Sequence, residues 1–170
     1  MKRVAQFYKV SFEQFLLDCQ KLFPKLNQEE IQKIYETILL PKRATKGSAG
    51  YDFFTPIRFT LNPKENIQIP TGIRVQIENG WMLQCFPKSG QGTRFRLQLD
   101  NTVGIIDSDY FYAQNEGHIL VKITNDTNEN KVFSIDQNKA FCQGIFVEYG
   151  ITMDDYVNED RIGGFGSTNQ

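Results

Sequence analysis

The hydrophobic period of this chain changes once, and that change constrains the fold more than any other feature. Before Pro41 the apolar residues recur at helical spacing; from Ile57 onward they alternate. In the first part, Ser11 with Gln14 reads as a capping box, and Phe12, Phe15, Leu16 and Cys19 share a helical face until Pro24 stops the run. Asn27 with Glu30 repeats the signal, and Ile31, Ile34, Tyr35 and Ile38 form a second stripe. A short strand from Val4 to Val10 and then a helical hairpin over residues 11–39 are expected.

In the second part the alternating sets are Ile57, Phe59 and Leu61; Ile73, Val75 and Ile77; Phe95, Leu97 and Leu99; and Ile119, Val121 and Ile123. Turn residues separate them at Asn62-Pro63, Pro70-Thr71-Gly72, Asn79-Gly80 and the polar run from Asn125 to Asn130, which suits an all-β barrel or sandwich. A length of 170 residues with 40% hydrophobic residues fits a single domain, with a β core over 40–153. Residues 154–170 are polar and end in a glycine-rich stretch, a tail expected to order only when something binds it.

The net charge of -1 leaves no global basic field for nucleic acid, so any anionic substrate must be met by local positive charge. Cys19, Cys85 and Cys142 are odd in number and widely spaced, which predicts reduced thiols without a disulfide or zinc site. No apolar stretch approaches the roughly 20 residues that span a bilayer, and the N-terminus is not a signal peptide. A cytoplasmic protein is expected.

Within the β region, Gly104-Ile105-Ile106 ends abruptly in Asp107-Ser108-Asp109-Tyr110. Alone this is either a hydrophilic hairpin tip or a carboxylate presented at the edge of a rigid core. Three further segments place small or polar residues between apolar runs: Ser48-Ala49-Gly50-Tyr51-Asp52, Pro87-Lys88-Ser89-Gly90 and Gly163-Gly164-Phe165-Gly166-Ser167-Thr168, with a weaker one at Phe141-Cys142-Gln143. Lys88, Ser89 and Gly90 read as a turn offering a cation, a hydroxyl and open N–H groups, the donors that anionic oxygens prefer.

In this order the segments resemble the five motifs of the trimeric dUTP nucleotidohydrolases, the dUTPases, and the resemblance runs from Leu40 to Thr168. Asn115-Glu116-Gly117-His118-Ile119 is similar to the Gram-positive bacterial and phage branch. The resemblance implies a jelly-roll-like barrel, a homotrimer with shared active sites, and Mg²⁺-dependent hydrolysis of dUTP to dUMP and diphosphate. It makes Asp107 the base that activates water, and Tyr110 the ring that packs on deoxyribose. Asn101 and the backbone from Gly104 to Ile106 would line the uracil pocket. Lys88, Ser89, Gly90 and Gln143 would hold phosphates, and Asp52 would hold Mg²⁺ through water. Arg161, Phe165, Gly166, Ser167 and Thr168 would belong to a lid over the nucleotide.

The family position of Lys88 is usually arginine, whose bidentate fork lysine lacks. Arg161 lies one residue closer to the glycine pair than the family pattern has it. The helical hairpin is a further departure, expected either as an accessory packed on the barrel or as a docking surface for a protein partner, as in regulatory phage members. A dCTP deaminase of the same fold is the alternative enzyme; deaminases use a glutamate in the third motif, where this chain has Asp107-Ser108-Asp109-Tyr110.

Overall fold

A computed structural model of the chain describes residues 1–158. The elements run β1 (Ala5–Lys9), α1 (Phe12–Leu22), α2 (Gln28–Glu36), β2 (Lys42–Arg43), β3 (Tyr51–Phe54), β4 (Phe59–Leu61), β5 (Asn66–Pro70) and β6 (Ile73–Ile77). There follow β7 (Trp81–Pro87), α3 (Ser89–Phe95), β8 (Leu97–Leu99), β9 (Gly104–Ile106), a 3-10 turn (Ser108–Tyr112), β10 (Leu120–Asn125), β11 (Phe133–Ile135) and β12 (Ala140–Glu148). No helix among the described residues is long and apolar enough to cross a membrane.

The fold is all-β with a helical hairpin near its start. The pairings are antiparallel, in sheets ordered β2-β3-β12-β7-β9, β5-β10-β8, β1-β6 and β11-β4. Strand pairing among the described residues leaves these sheets open, without one continuous barrel closure, and their inner faces share one core. Phe53, Ile69, Ile73, Leu83, Leu97, Ile123 and Phe141 at its centre are almost completely buried.

Both helices form where the capping residues stand. Asn27 and Glu30 make a complete capping box at α2. At α1 the box is half local: the Gln14 N–H donates to Ser11 Oγ at 3.1 Å, but the Gln14 side chain turns to Asp18. The Ser11 N–H is taken instead by Glu116, whose two carboxylate oxygens accept from the Ser11 N–H at 2.8 Å and hydroxyl at 2.6 Å. The hairpin is no surface ornament. Phe15 and Ile31 are fully buried in the shared core, each such side chain contributing roughly 1.5–3 kcal/mol by removal from water. Gly72, between β5 and β6 with φ +72, permits this: a Cβ there would lie 2.3 Å from Ile38 Cδ1.

Two local expectations change. Lys88-Ser89-Gly90 is the start of α3, with Lys88 as N-cap, not an isolated turn. Phe95 is the last residue of α3 instead of a strand residue; Arg96 in the left-handed region (φ 50) then turns the chain into β8.

Candidate active site

The base-sized feature of the site is a cavity of about 310 Å³ walled by Asn101, Gly104 and Ile106 together with Cys85, Ile119 and Val121. It exists because β9 pairs with β7, setting Gly104 opposite Cys85 and Ile106 opposite Leu83. A side chain on residue 104 would crowd its wall, since a Cβ there would stand 3.2 Å from Cys85 Cβ. Gln68 and Lys122, paired across β5 and β10, form its polar rim with Asp100, and Lys122 Nζ lies 3.0 Å from Asp100 Oδ2. The turn entering β9 holds Thr102 at φ 67, a strained conformation for a β-branched residue.

Asp107 follows Ile106 directly, so its partly exposed carboxylate begins one residue beyond the cavity wall. Its carbonyl accepts from the Tyr110 N–H at 3.2 Å, which starts the 3-10 turn. Asp109 is exposed. Tyr110 is buried, its hydroxyl donating to the His118 carbonyl at 2.8 Å and accepting from Asn115 Nδ2 at 2.8 Å.

A second, charged cluster lies across β3, β12 and β7. Gln143 stands opposite Asp52 on one side and Phe86 on the other, so Asp52, Gln143 and Phe86 fall in one row, two residues before the α3 N-cap Lys88. Lys88 Nζ reaches over that row to Asp52 Oδ1 at 2.6 Å, and Gln143 Nε2 donates to the Pro87 carbonyl at 3.2 Å. The Lys88 carbonyl accepts from Gln91 and Gly92, which leaves the N–H groups of Ser89 and Gly90 in the first helical turn, where no intrahelical acceptor exists. Gly50 packs so closely on this row that a Cβ would meet Gln143 Oε1 at 2.8 Å.

His118 and Glu116 fall within the quoted segment 115–119, but their partners on other elements left no signal in the sequence. His118, fully buried, accepts from the Gly72 N–H at Nε2 (2.8 Å) and meets Asp18 Oδ2 with Nδ1 at 2.6 Å. Burial pushes the Asp18 carboxyl up, but hydrogen bonds from His118 and Gln14 outweigh it and hold the group below its ordinary value. Glu116 behaves alike: burial raises it, and the Ser11 donors with the nearby Arg74 cation bring it below the usual range. Arg74 stacks on Phe111, with its guanidinium carbon 3.7 Å from the ring centroid, and donates to the Phe111 carbonyl. Asp18 lies 100 residues from His118, and no periodicity links them.

The described cysteines are free and buried. Burial pushes Cys19 up to about 12, and the Cys85 hydrogen bond together with burial raises Cys142 well above the ordinary thiol range, so neither is a ready thiolate. Among the described residues no group of three or more His, Cys, Asp or Glu is arranged to hold a metal ion. A dedicated metal cage therefore does not fit, whereas a hydrated ion carried by substrate phosphates and touched by one carboxylate fits Asp52. Arg161, Phe165, Gly166, Ser167 and Thr168 lie outside the described residues.

A model of the dUTPase family matches residues 36–169, beginning where α2 ends. The chain belongs to the dUTPase family. The deoxyuridine 5'-triphosphate nucleotidohydrolase of Lactococcus lactis is 37% identical over 134 residues, which cover 77% of this chain and 88% of that protein. The crystal structure of the Streptococcus mutans dUTPase matches at a TM-score of 0.60 with 32% identity, over 67% of this chain and 88% of that one. A mutant dUTPase from phage phi11 of S. aureus, solved to show how a structural Mg(II) ion is coordinated, shares the fold at a TM-score of 0.63 and 18% identity, over 92% of this chain and 98% of that one.

Proposed function

We propose that this dUTPase hydrolyses dUTP to dUMP and diphosphate, removing dUTP and supplying the precursor of dTMP, with Asp107 as the base. The observation that carries the assignment is the adjacency of a base-sized cavity, walled by Asn101, Gly104 and Ile106, to the Asp107 carboxylate. Uracil enters the cavity edge first and is matched by backbone groups of Gly104 to Ile106 and by Asn101. Close walls at the base's carbon 5 exclude thymine. Tyr110 lies against the deoxyribose and leaves no room for a 2'-hydroxyl.

Asp107 accepts a proton from a water aimed in line at the α-phosphorus, the task that a positioned carboxylate performs by general-base catalysis. The α–β anhydride breaks, and the leaving diphosphate is held by Lys88, the Ser89 hydroxyl and the first-turn N–H groups of Ser89 and Gly90, with Gln143 on a further oxygen. Lys88 exchanges part of its contact with Asp52 for the phosphates. Asp52 would hold Mg²⁺ through its waters, and the ion would disperse charge on the phosphates and orient them. Arg161, Phe165, Gly166, Ser167 and Thr168 form a lid, and a homotrimer brings lid and site together from different subunits. The free thiols suit a reducing, cytoplasmic setting.

Product analysis on dUTP, dTTP, dCTP and UTP, with Mg²⁺ or with excess EDTA, tests this reading. The expected result is dUMP from dUTP alone, lost on chelation. Ammonia released from dCTP, or no turnover of any nucleotide by a folded trimer, would overturn it.

A further inference from the structure

Helix α1 reaches the third motif through polar contacts that packing alone does not require. The hairpin is already held by Phe15, Cys19, Ile31 and Ile38 in the core, yet Asp18 Oδ2 stands 2.6 Å from His118 Nδ1 in a setting where the imidazole is fully buried. The Gly72 N–H donates to His118 Nε2 at 2.8 Å, so Nε2 carries no proton and Nδ1–H donates to Asp18. Both ring nitrogens are thereby committed, one to the helix and one to the β5–β6 turn, which leaves the imidazole no freedom to rotate.

The fixed ring sets the backbone it hangs from. The His118 carbonyl accepts from the Tyr110 hydroxyl at 2.8 Å, and Asn115, two residues before the left-handed Gly117, donates to the same hydroxyl. Gly117 packs on the Tyr110 carbonyl so tightly that a Cβ would lie 2.6 Å from it. Glu116, itself at φ 57, is pinned by the α1 N-cap Ser11 and approached by Arg74. Both hydrogen-bond partners named here for the Tyr110 hydroxyl lie in the segment 115–118, and that segment is fastened to α1 at Ser11 and Asp18.

We infer that Asp18 and His118 are a positioning pair that sets the Tyr110 ring, making sugar selectivity a property that α1 supports. The inference rests on the reading of this protein as a dUTP hydrolase with Tyr110 at the sugar. With the pair intact the ring is held where it bars a 2'-hydroxyl. With the pair broken the ring shifts, UTP is admitted, and dUTP is aimed less well at Asp107; a displacement of about 1 Å at a reacting centre can cost on the order of 100-fold.

The test compares kcat and KM for dUTP and UTP in the full-length protein and in Asp18→Leu, which keeps apolar bulk but removes the acceptor, and Asp18→Asn, which keeps an acceptor oxygen. Thermal unfolding is followed in parallel. The expected result is a fall of about 10-fold or more in the dUTP:UTP ratio of kcat/KM for Asp18→Leu, largely restored in Asp18→Asn. A ratio within about twofold of the unaltered protein, RT ln 2 being well under 1 kcal/mol, would overturn the inference even if Tm falls, because lost stability alone lowers both activities together. Should Asp18→Leu fail to fold, Tyr110→Phe breaks the chain at its other end: a reduced ratio supports the inference and an unchanged one overturns it. Unaltered protein that hydrolyses no dUTP would overturn the functional reading itself, and this inference with it.

Discussion

In the proposed reading the base end of the site is walled by backbone and buried side chains, with Gly104, Cys85 and Ile106 fixed by the β7–β9 pairing, whereas the phosphate end is made of partly exposed side chains, Lys88 bonded to Asp52 and Gln143 to the Pro87 carbonyl. The first is shaped before any ligand arrives, so selectivity there comes from a cavity that does not adapt. The second must exchange internal bonds for bonds to substrate. Lys88 and Asp52, 29% and 16% exposed, already satisfy each other's charge, and a triphosphate has to compete for the lysine. Shape governs one end and charge the other, so changes at the two ends should differ in kind as well as in size.

Asp107, the proposed base, should give the largest effect. Asp107→Asn is expected to reduce turnover by about 10² to 10⁴ while a non-hydrolysable dUTP analogue binds within a few-fold of normal, as calorimetry would record. Near-normal turnover would remove Asp107 from its role. At the base end, Gly104→Ala places a methyl 3.2 Å from Cys85 Cβ. We expect KM for dUTP and the inhibition constant of deoxyuridine to rise together by about 10-fold, the scale of a methylene misfit in a pocket. A rise in the first without the second would mean that Gly104 does not border the base.

At the phosphate end, Lys88→Met should raise KM for dUTP several-fold, roughly the loss of one charge-assisted contact, and leave deoxyuridine inhibition unchanged. Higher ionic strength should move the unaltered protein the same way, since partly exposed charges are screened within about 8 Å at physiological salt. If deoxyuridine binding proves equally salt-dependent, the division between the ends fails. Thr102→Asn, which relieves a β-branched residue at φ 67, should raise Tm by about 2–4 °C with kinetics unaltered.

The smallest effect concerns acid stability. The Asp18 carboxyl is held below its ordinary value of 3.8, so its contribution is complete above that pH and is lost as pH falls through the lower folded value. Denaturant titrations of Asp18→Asn should therefore show a shallower loss of stability below about pH 4 than the unaltered protein does.

Much of the fold was legible because burial on one face leaves a period. Ile73, Val75 and Ile77 fall within β6 with their side chains inward, and the Asn27–Glu30 box starts α2 as written. β7 was not legible: Met82 and Phe86 put apolar residues on its less buried face and hide the alternation. α3 was missed because Ser89-Gly90-Gln91-Gly92 is poor helix sequence; its form follows from tertiary setting, with Arg96 closing it in a left-handed conformation. The short motifs pointed to Asn101, Gly104, Ile106 and Asp107, which are close in the chain as well as in space. Gln68, Lys122 and Asp18 left no such trace, since what gives each a role is a partner on another element.

The divided cap of α1 has a consequence for the order in which the chain can fold. Ser11 and the Glu116 carboxylate that completes its cap are 105 positions apart. At synthesis rates of about 5–20 residues per second, Ser11 is made some 5–20 s before its last capping partner exists. During that interval Ser11 and Asp18 have only local partners, and Phe15 waits for strands not yet made. Completion of the α1 cap is thus a long-range closure, expected to follow formation of the segment around Glu116. Slow refolding measured at Tyr35, which donates to the Val10 carbonyl between β1 and α1, would register that late step directly.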